Sequence, residues 1–257
     1  MKTTVIRAIV SFLLLTTFAT VIAQNKADGI HNGHEYVDLG ITDGQGNKIM
    51  WATCNLGADK EYDYGGYYSW GETKAYGETD MSNTQNYSTS NSYVKTYYDW
   101  STYKWCNGSS YTMTKYCTSS DLGIVDNKTT LDLEDDAAHQ NWGGNWQMPT
   151  NEIMYSLCND CIWTWIPESP DNGFGGHAGY KISNKEKSSN YIFLPAAGYC
   201  GRSGPEHIGD CGDYWSCSLS SKSHDARELY FKSASHQPYY SIRYFGFPIR
   251  PICKIPE

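Results

Sequence analysis

Asp126, Asp132, Glu134, Asp135 and Asp136 crowd oxygen donors into one short stretch of the chain. Carboxylates so gathered suit a hard cation, and calcium is the metal they would take. The spacing is not that of an EF-hand loop, because the required glycine and closing glutamate are out of register. Asp132, Glu134, Asp135 and Asp136 are the candidate ligands, and the plainer alternative is helix capping with a solvated acidic face. Cys158-Asn-Asp-Cys161 is a lone CxxC. It lacks a thioredoxin-like βαβ context for redox work and a second pair for zinc, so structural or spare thiols are the plainer reading. His31 and His34 lie beside a terminal leader, where two histidines are usually incidental. No G-x-S-x-G elbow is present, so a serine-nucleophile hydrolase is unsupported. The glycine-rich run from Asn172 to Gly179 is not followed by Lys-Ser/Thr and is no phosphate loop. A glycosidase needs two carboxylates across a cleft, a geometry that residue types alone do not fix.

The elements that would position these groups open with a secretory signal at residues 1–23. Lys2 and Arg7 form its positive region, Ile9 to Phe18 its apolar core, and Val21-Ile22-Ala23 its cleavage site. The mature chain is expected to start at Gln24, with a polar leader over 24–33. No cysteine stands at the cleavage point, and no later stretch is apolar enough for a membrane helix. The whole chain carries a formal charge of −8, and loses two further positive charges with the signal. That balance argues against nucleic acid and anionic membranes as partners.

The 22 tyrosines and 9 tryptophans are high for this length. Exposed, they serve recognition surfaces; buried, they tie loops to a core. Nine cysteines in a secreted chain suggest disulfides, with at least one thiol left over. Cys200–Cys211 and Cys106–Cys117 each bracket a loop.

Glu35–Leu39 and Lys48–Thr53 read as a hairpin around the turn at 42–47. Residues 74–120 have little periodicity and read as long surface loops with short strands around Tyr97–Trp105. Asp135 or Asp136 can cap a helix ending at Trp142; a Gly-Gly turn follows, and Thr150 can cap a second helix through Cys158. Ile153 cannot complete a capping box, which leaves Glu152 only a dipole contribution. Cys161–Ile166 sets Trp163 and Trp165 on one face of a strand. Tyr180–Ser183 and Tyr191–Leu194 read as strands, the latter central. Asp213–Leu219, Glu228–Lys232 and Ser241–Phe247 read as closing antiparallel strands.

The acidic-Ala helix ending in Asn141-Trp142, the glycine turn and Met148-Pro149-Thr150 resemble the helix-pair signature of the formylglycine-generating-enzyme branch of C-type-lectin-like folds. The blocks Tyr36–Gly40, Trp51–Ala58, Tyr68–Thr73, Phe193–Tyr199, Asp213–Ser216 and Gly246–Pro251 resemble the Fibrobacter succinogenes major paralogous domain family, in order along nearly all of residues 34–254. Two departures stand out: Gln147 replaces the usual Arg, and Ile153-Met154 replaces Glu-Trp. The resemblance implies an α+β, C-type-lectin-like domain, with two short helices on small twisted antiparallel sheets with long loops. Residues 74–120 would then be partly an insertion. It also implies that the termini meet, which would bring Cys54 close to Cys253. Arg250 falls at a family-typical position, expected as a buried arginine paired to an acid.

The enzyme branch needs two C-terminal cysteines for copper and oxygen chemistry. Cys217 stands in a suggestive place, but Lys222 occupies the position of the second. The sugar-binding motifs of animal lectins are absent too. The expectation is therefore a secreted, non-catalytic binding protein of the bacterial periplasm or outer surface, with carbohydrate or a surface protein as partner. By analogy with the variable ligand face of the fold, its candidate ligand-binding residues are Tyr214, Trp215, Arg227, Tyr239, Tyr240 and Arg243. The rival readings are an oxidoreductase using Cys217 and a structural component whose odd thiol bridges chains.

Overall fold

The computed structural model describes residues 27–80 and 93–254. The signal at 1–23, the start of the leader and residues 81–92 of the loop-rich stretch lie outside the described residues. β1 (Gly29–His31) and β2 (His34–Thr42) form a hairpin through Asn32-Gly33. Asn32 at φ 44 and Gly33 at φ 84 are the left-handed pair a two-residue turn needs. Half of the expected leader is thus structured. β3 (Lys48–Ala52) returns against β2. The Asp43 carboxylate closes their turn by accepting from the N–H groups of Gln45 and Asn47, both at 2.9 Å.

β4 (Thr79–Asp80) and β5 (Tyr93–Val94) make a minimal pair. The strands expected around Tyr97–Trp105 do not form; that segment is turns and loops, tied down by side chains instead. α1 (Ala137–Trp142), β6 (Trp146–Gln147) and α2 (Asn151–Asp160) follow. The Asp136 carboxylate accepts from His139 N at 3.0 Å and from Met148 N at 2.8 Å. It therefore caps α1 and also fastens the chain beyond the turn, where Gly143 and Gly144 take φ 65 and 58. Burial pushes this carboxyl up to about 6. Thr150 caps α2 from one side only, accepting from Ile153 N at 3.3 Å. Trp142 and Trp146 meet edge to face at 5.1 Å, and His34 stacks on Trp142 at 3.8 Å.

β7 (Cys161–Ile166), β8 (Gly179–Asn184) and β9 (Tyr191–Pro195) form one antiparallel sheet in chain order. β9 is its edge strand rather than its centre, yet every residue is buried, because other layers cover both faces. Trp163 and Trp165 share a face and both pack on Tyr180. β10 (Tyr199–Gly201) and β11 (Gly204–Glu206) make a hairpin. β12 (Cys211–Leu219), β13 (Asp225–Lys232) and β14 (Ser235–Ile242) make a third sheet. The last of these lies earlier than the expected Ser241–Phe247. β15 (Ile252–Lys254) inserts between β3 and β6, giving the sheet order β1-β2-β3-β15-β6. The class is α+β: mostly antiparallel sheet with two short helices.

The main core gathers Val37, Leu39 and Ile41 of β2, Trp51 of β3, Ile153 and Leu157 of α2, and Leu194, Tyr214 and Phe231 from the other sheets. All nine cysteines are free thiols, so none of the expected pairs at 200–211, 106–117 or 54–253 is formed. Cross-linking falls to hydrogen bonds. Arg250 is fully buried but not paired to an acid as expected. Its Nε donates to Asn55 Oδ1 at 2.8 Å, Nη1 to the carbonyls of Ala52 and Thr53 at 3.1 and 2.9 Å, and Nη2 to Phe193 O at 2.7 Å. A fork of five donors can serve four acceptors at once. Replacing Arg250 by Ala would orphan three buried carbonyls; the expected loss is about 3–5 kcal/mol of unfolding free energy. Arg250→Lys should recover only part of it, as read from urea midpoints.

Candidate carbohydrate-binding cleft

Three of the residues expected at a ligand face cannot reach one: Tyr214, Trp215 and Arg243 are each 0 % exposed. β12 is covered on both sides, so its alternation does not separate a wet face from a dry one. The Tyr214 hydroxyl donates to Pro195 O at 2.8 Å. Trp215 stacks on Phe247 at 4.1 Å and donates to Tyr68 O at 2.9 Å. Arg243 donates from Nη1 to the carbonyls of Ser223 and Tyr116 at 2.7 and 3.0 Å, and from Nε to the Tyr103 hydroxyl at 2.8 Å. Its guanidinium also lies over Trp70, 4.8 Å from the ring centre.

The other three do reach the surface. Arg227 pairs across β13–β14 with Tyr240 and lies 5.9 Å over its ring. Tyr239 and Tyr240 are half exposed and stacked at 4.9 Å.

Tyr240 opens onto a groove of about 540 Å³, lined also by Trp100, Tyr111, His224, Asp225 and Phe245. A second groove of about 510 Å³ shares Trp100 and Phe245 with it and continues over Asp99, Tyr199, Arg202, Glu206 and Tyr244. The two hollows are neighbours on an aromatic-lined face between the 98–112 loop, the β10–β11 hairpin and the end of the third sheet. Trp100 and Tyr244 meet edge to face at 5.0 Å. Gly198, at φ 58, leads into β10; a Cβ there would fall 1.9 Å from Glu206 O, so only glycine lets the hairpin close.

Polar groups in the cleft are held by name. Arg202 donates to Asp99 Oδ2 from Nη2 at 2.6 Å and from Nε at 3.1 Å, and Ser101 Oγ donates to Asp99 Oδ1 at 2.6 Å. Burial works against the Asp99 charge, but these hydrogen bonds outweigh it and hold the carboxyl below its ordinary range. The Tyr199 hydroxyl donates to Glu206 Oε2 at 3.2 Å, across the hairpin. Sequence reading missed Trp100, Tyr199 and Tyr244; for Trp100 the run Tyr97-Tyr98-Asp99-Trp100, three aromatics around one acid within a polar loop, was the available signal. A third hollow, of about 360 Å³ beside Asn145 and Lys254, has only the buried Trp146 as an aromatic wall.

The acidic cluster is already occupied by a cation of the chain. Lys115 Nζ lies 2.8 Å from Asp132 Oδ2, 2.8 Å from Glu134 Oε1 and 2.6 Å from Asp135 Oδ2. Lys128 adds a contact to Asp132 at 2.5 Å. Burial works against the Lys115 charge, yet the three carboxylates outweigh it and raise the ammonium above its ordinary range. Asp136 faces the other way, into its capping role. Cys217 is buried beneath this region, and burial pushes its thiol well up. Cys158 and Cys161 are both pushed up to about 12 by burial, the opposite of an activated pair. His31 Nε2 accepts from Asn145 N at 2.9 Å, so that lone pair is engaged.

Behind the cleft, Glu228 and Asp213 form a buried acid pair on β13 and β12. Ser241 Oγ donates to Glu228 Oε1 at 2.7 Å, and Cys211 Sγ to Asp213 Oδ2 at 3.2 Å. Glu228 Oε2 is buried with no hydrogen-bond partner among the described residues. Burial first, then the Asp213 charge, raises Glu228 well above its ordinary value; burial likewise raises Asp213, against the lowering influence of His207 and Lys232. Among the described residues no helix is long and apolar enough to cross a membrane. No family model, curated relative or solved structure matches the chain.

Two outcomes follow from these groups. Calcium or chelator should leave the melting temperature unchanged in the native chain, while Lys115→Met, which leaves three carboxylates facing one another, should melt earlier and regain stability with added calcium. The acid pair has the opposite sign to an ordinary salt-bridged carboxylate. The folded chain retains a proton that an unfolded glutamate loses near pH ~4.3, so stability is full below that value and falls as pH rises towards the raised folded value. Glu228→Gln should flatten that fall in urea titrations run from pH 4 to 8.

Proposed function

We propose that this chain is a secreted, non-catalytic binding protein whose aromatic cleft takes carbohydrate at the bacterial cell surface or in the periplasm, on a C-type-lectin-like fold. The observation that carries the reading is the shared wall: Trp100 and Phe245 belong to both grooves, so ring faces line the cleft along its length. Sugar rings offer C–H faces to aromatic rings and hydroxyls to acceptors between them. Asp99, Glu206 and Asp225 are such acceptors, placed among the rings. Grooves of this size suit ligands of several rings, within the range of roughly 300–1,000 Å³ usual for small-molecule sites.

Binding rather than turnover is supported by how the polar groups are spent. Asp99 is held by Arg202 and Ser101, and Glu206 by Tyr199. The oxidoreductase reading gains nothing from Cys217, whose buried, proton-bearing thiol is a poor metal ligand. Thiol bridging between chains gains little either, since all nine cysteines are buried or half-buried. The motif blocks agree in order with the major paralogous family and add the expectation of secretion.

The test is glycan-array binding of residues 24–257, in native form and as Tyr240→Ala and Trp100→Ala. Specific binding that drops by about tenfold or more in either variant is expected, the loss of one ring contact of about 1.4 kcal/mol. An array silent for the native protein would overturn the carbohydrate reading, and pull-down of surface proteins would then take its place.

A further inference from the structure

Resting on the carbohydrate reading, we propose that the two grooves are consecutive subsites for one linear, uncharged oligosaccharide, and that the cleft grips an internal stretch of a chain rather than a single terminal sugar. The two hollows are of similar size, about 510 and 540 Å³, and lie side by side, with Trp100 and Phe245 lining both. A ligand spanning both would pass those two rings. Each hollow carries its own ring surfaces, Tyr199 and Tyr244 on one side and Tyr111 and Tyr240 on the other. Tyr111 is 70 % exposed, with no ring stacked on it among the described residues.

The polar groups select for charge. Asp99, Glu206 and Asp225 line the cleft, against one guanidinium, Arg202, which Asp99 already holds. A uronate or sulfate would meet carboxylates without a free cation, and like charges brought together in a partly desolvated groove repel. Hydroxyl groups meet no such cost. The 540 Å³ hollow adds the His224 ring, whose Nε2 lies 3.6 Å from Asp225 Oδ2.

The experiment is calorimetric titration of residues 24–257 with neutral cello-, malto-, xylo- and manno-oligosaccharides of one to six units, beside oligogalacturonates of matched length. For the neutral series that binds, affinity should climb on the order of 10²-fold between the shortest binder and the length that spans both subsites, as expected when a second site engages a tethered ligand. Tyr111→Ala, a surface change, should erase that climb; His224→Ala should weaken long oligomers likewise. Matched oligogalacturonates should bind about tenfold or more weakly. Affinity that is flat with length, or uronates that bind as well as neutral chains, would overturn the two-subsite proposal while leaving carbohydrate binding in place. No binding to any neutral oligomer would instead overturn the reading on which it rests.

Discussion

A chain with long loops and no disulfide must still satisfy the carbonyls it buries, and here two guanidinium groups answer that constraint. Arg250 serves four acceptors from two segments, residues 52–55 and β9. Arg243 serves the carbonyls of Lys115, Tyr116 and Ser223 and the Tyr103 hydroxyl. Neither meets a carboxylate within hydrogen-bonding reach. The desolvation cost of a buried charge is then met by carbonyl dipoles and ring faces rather than by an ion pair. Burial lowers the Arg250 pKa accordingly, with the nearby Tyr214, Cys54 and Glu61 opposing. The gain over a salt bridge is valence: one side chain fixes several loops at once, in a planar geometry that tolerates little drift.

The cleft inherits its shape from the same device. Arg243 is followed directly by Tyr244 and Phe245, so the guanidinium that anchors the 103–116 loop also sets the next two rings along the cleft wall. Tyr103, held by Arg243, passes the constraint on by donating to Trp70 O at 2.8 Å. Tyr98 donates to Tyr67 O at 2.6 Å, and the Asp99–Arg202 pair joins this loop to the β10–β11 hairpin. Lys95 adds a buried ion pair with Glu72 at 2.7 Å and a hydrogen bond to Ser69. A binding wall made of loops thereby becomes a fixed surface, which lowers the ordering cost a ligand must meet.

What could be read in advance followed local rules. The hairpin at 34–52, the caps at Asp136 and Thr150, and the face shared by Trp163 and Trp165 all depend on neighbours in sequence, and residue type reports them. The β13–β14 turn at Ser233-Ala234 carries no Gly, Asn or Pro signal, so β14 was placed too late. The candidate site was carried over by analogy with the fold's ligand face, and burial decides which of its residues stay open to solvent. Tyr214 and Trp215 point to opposite faces of β12, but both faces are covered, so neither is wet. Arg243 looked like a ligand-seeking cation because its partners are carbonyls from distant segments, and carbonyls leave no trace in residue type. Trp100 and Tyr199 lie far apart in sequence, and the fold alone makes them neighbours.

The acidic cluster gathers its carboxylates around an ammonium of the chain itself. Asp132, Glu134 and Asp135 converge as calcium ligands would, with their oxygens within 4.8 Å of one another. Lys115 fills the point of convergence, and its Nζ also lies 5.0 Å over the Tyr116 ring, whose hydroxyl donates to Asp135 Oδ2 at 2.5 Å. A tethered ammonium enters such a cage without the translational cost a free ion bears, and its own chain holds it in place. Tyr116 is also the residue whose carbonyl Arg243 binds. The carboxylates, the lysine and the arginine therefore act on one segment, residues 115–116, and fix the loop behind the cleft. Through Tyr116 the cluster and Arg243 act together on the loop behind the aromatic cleft.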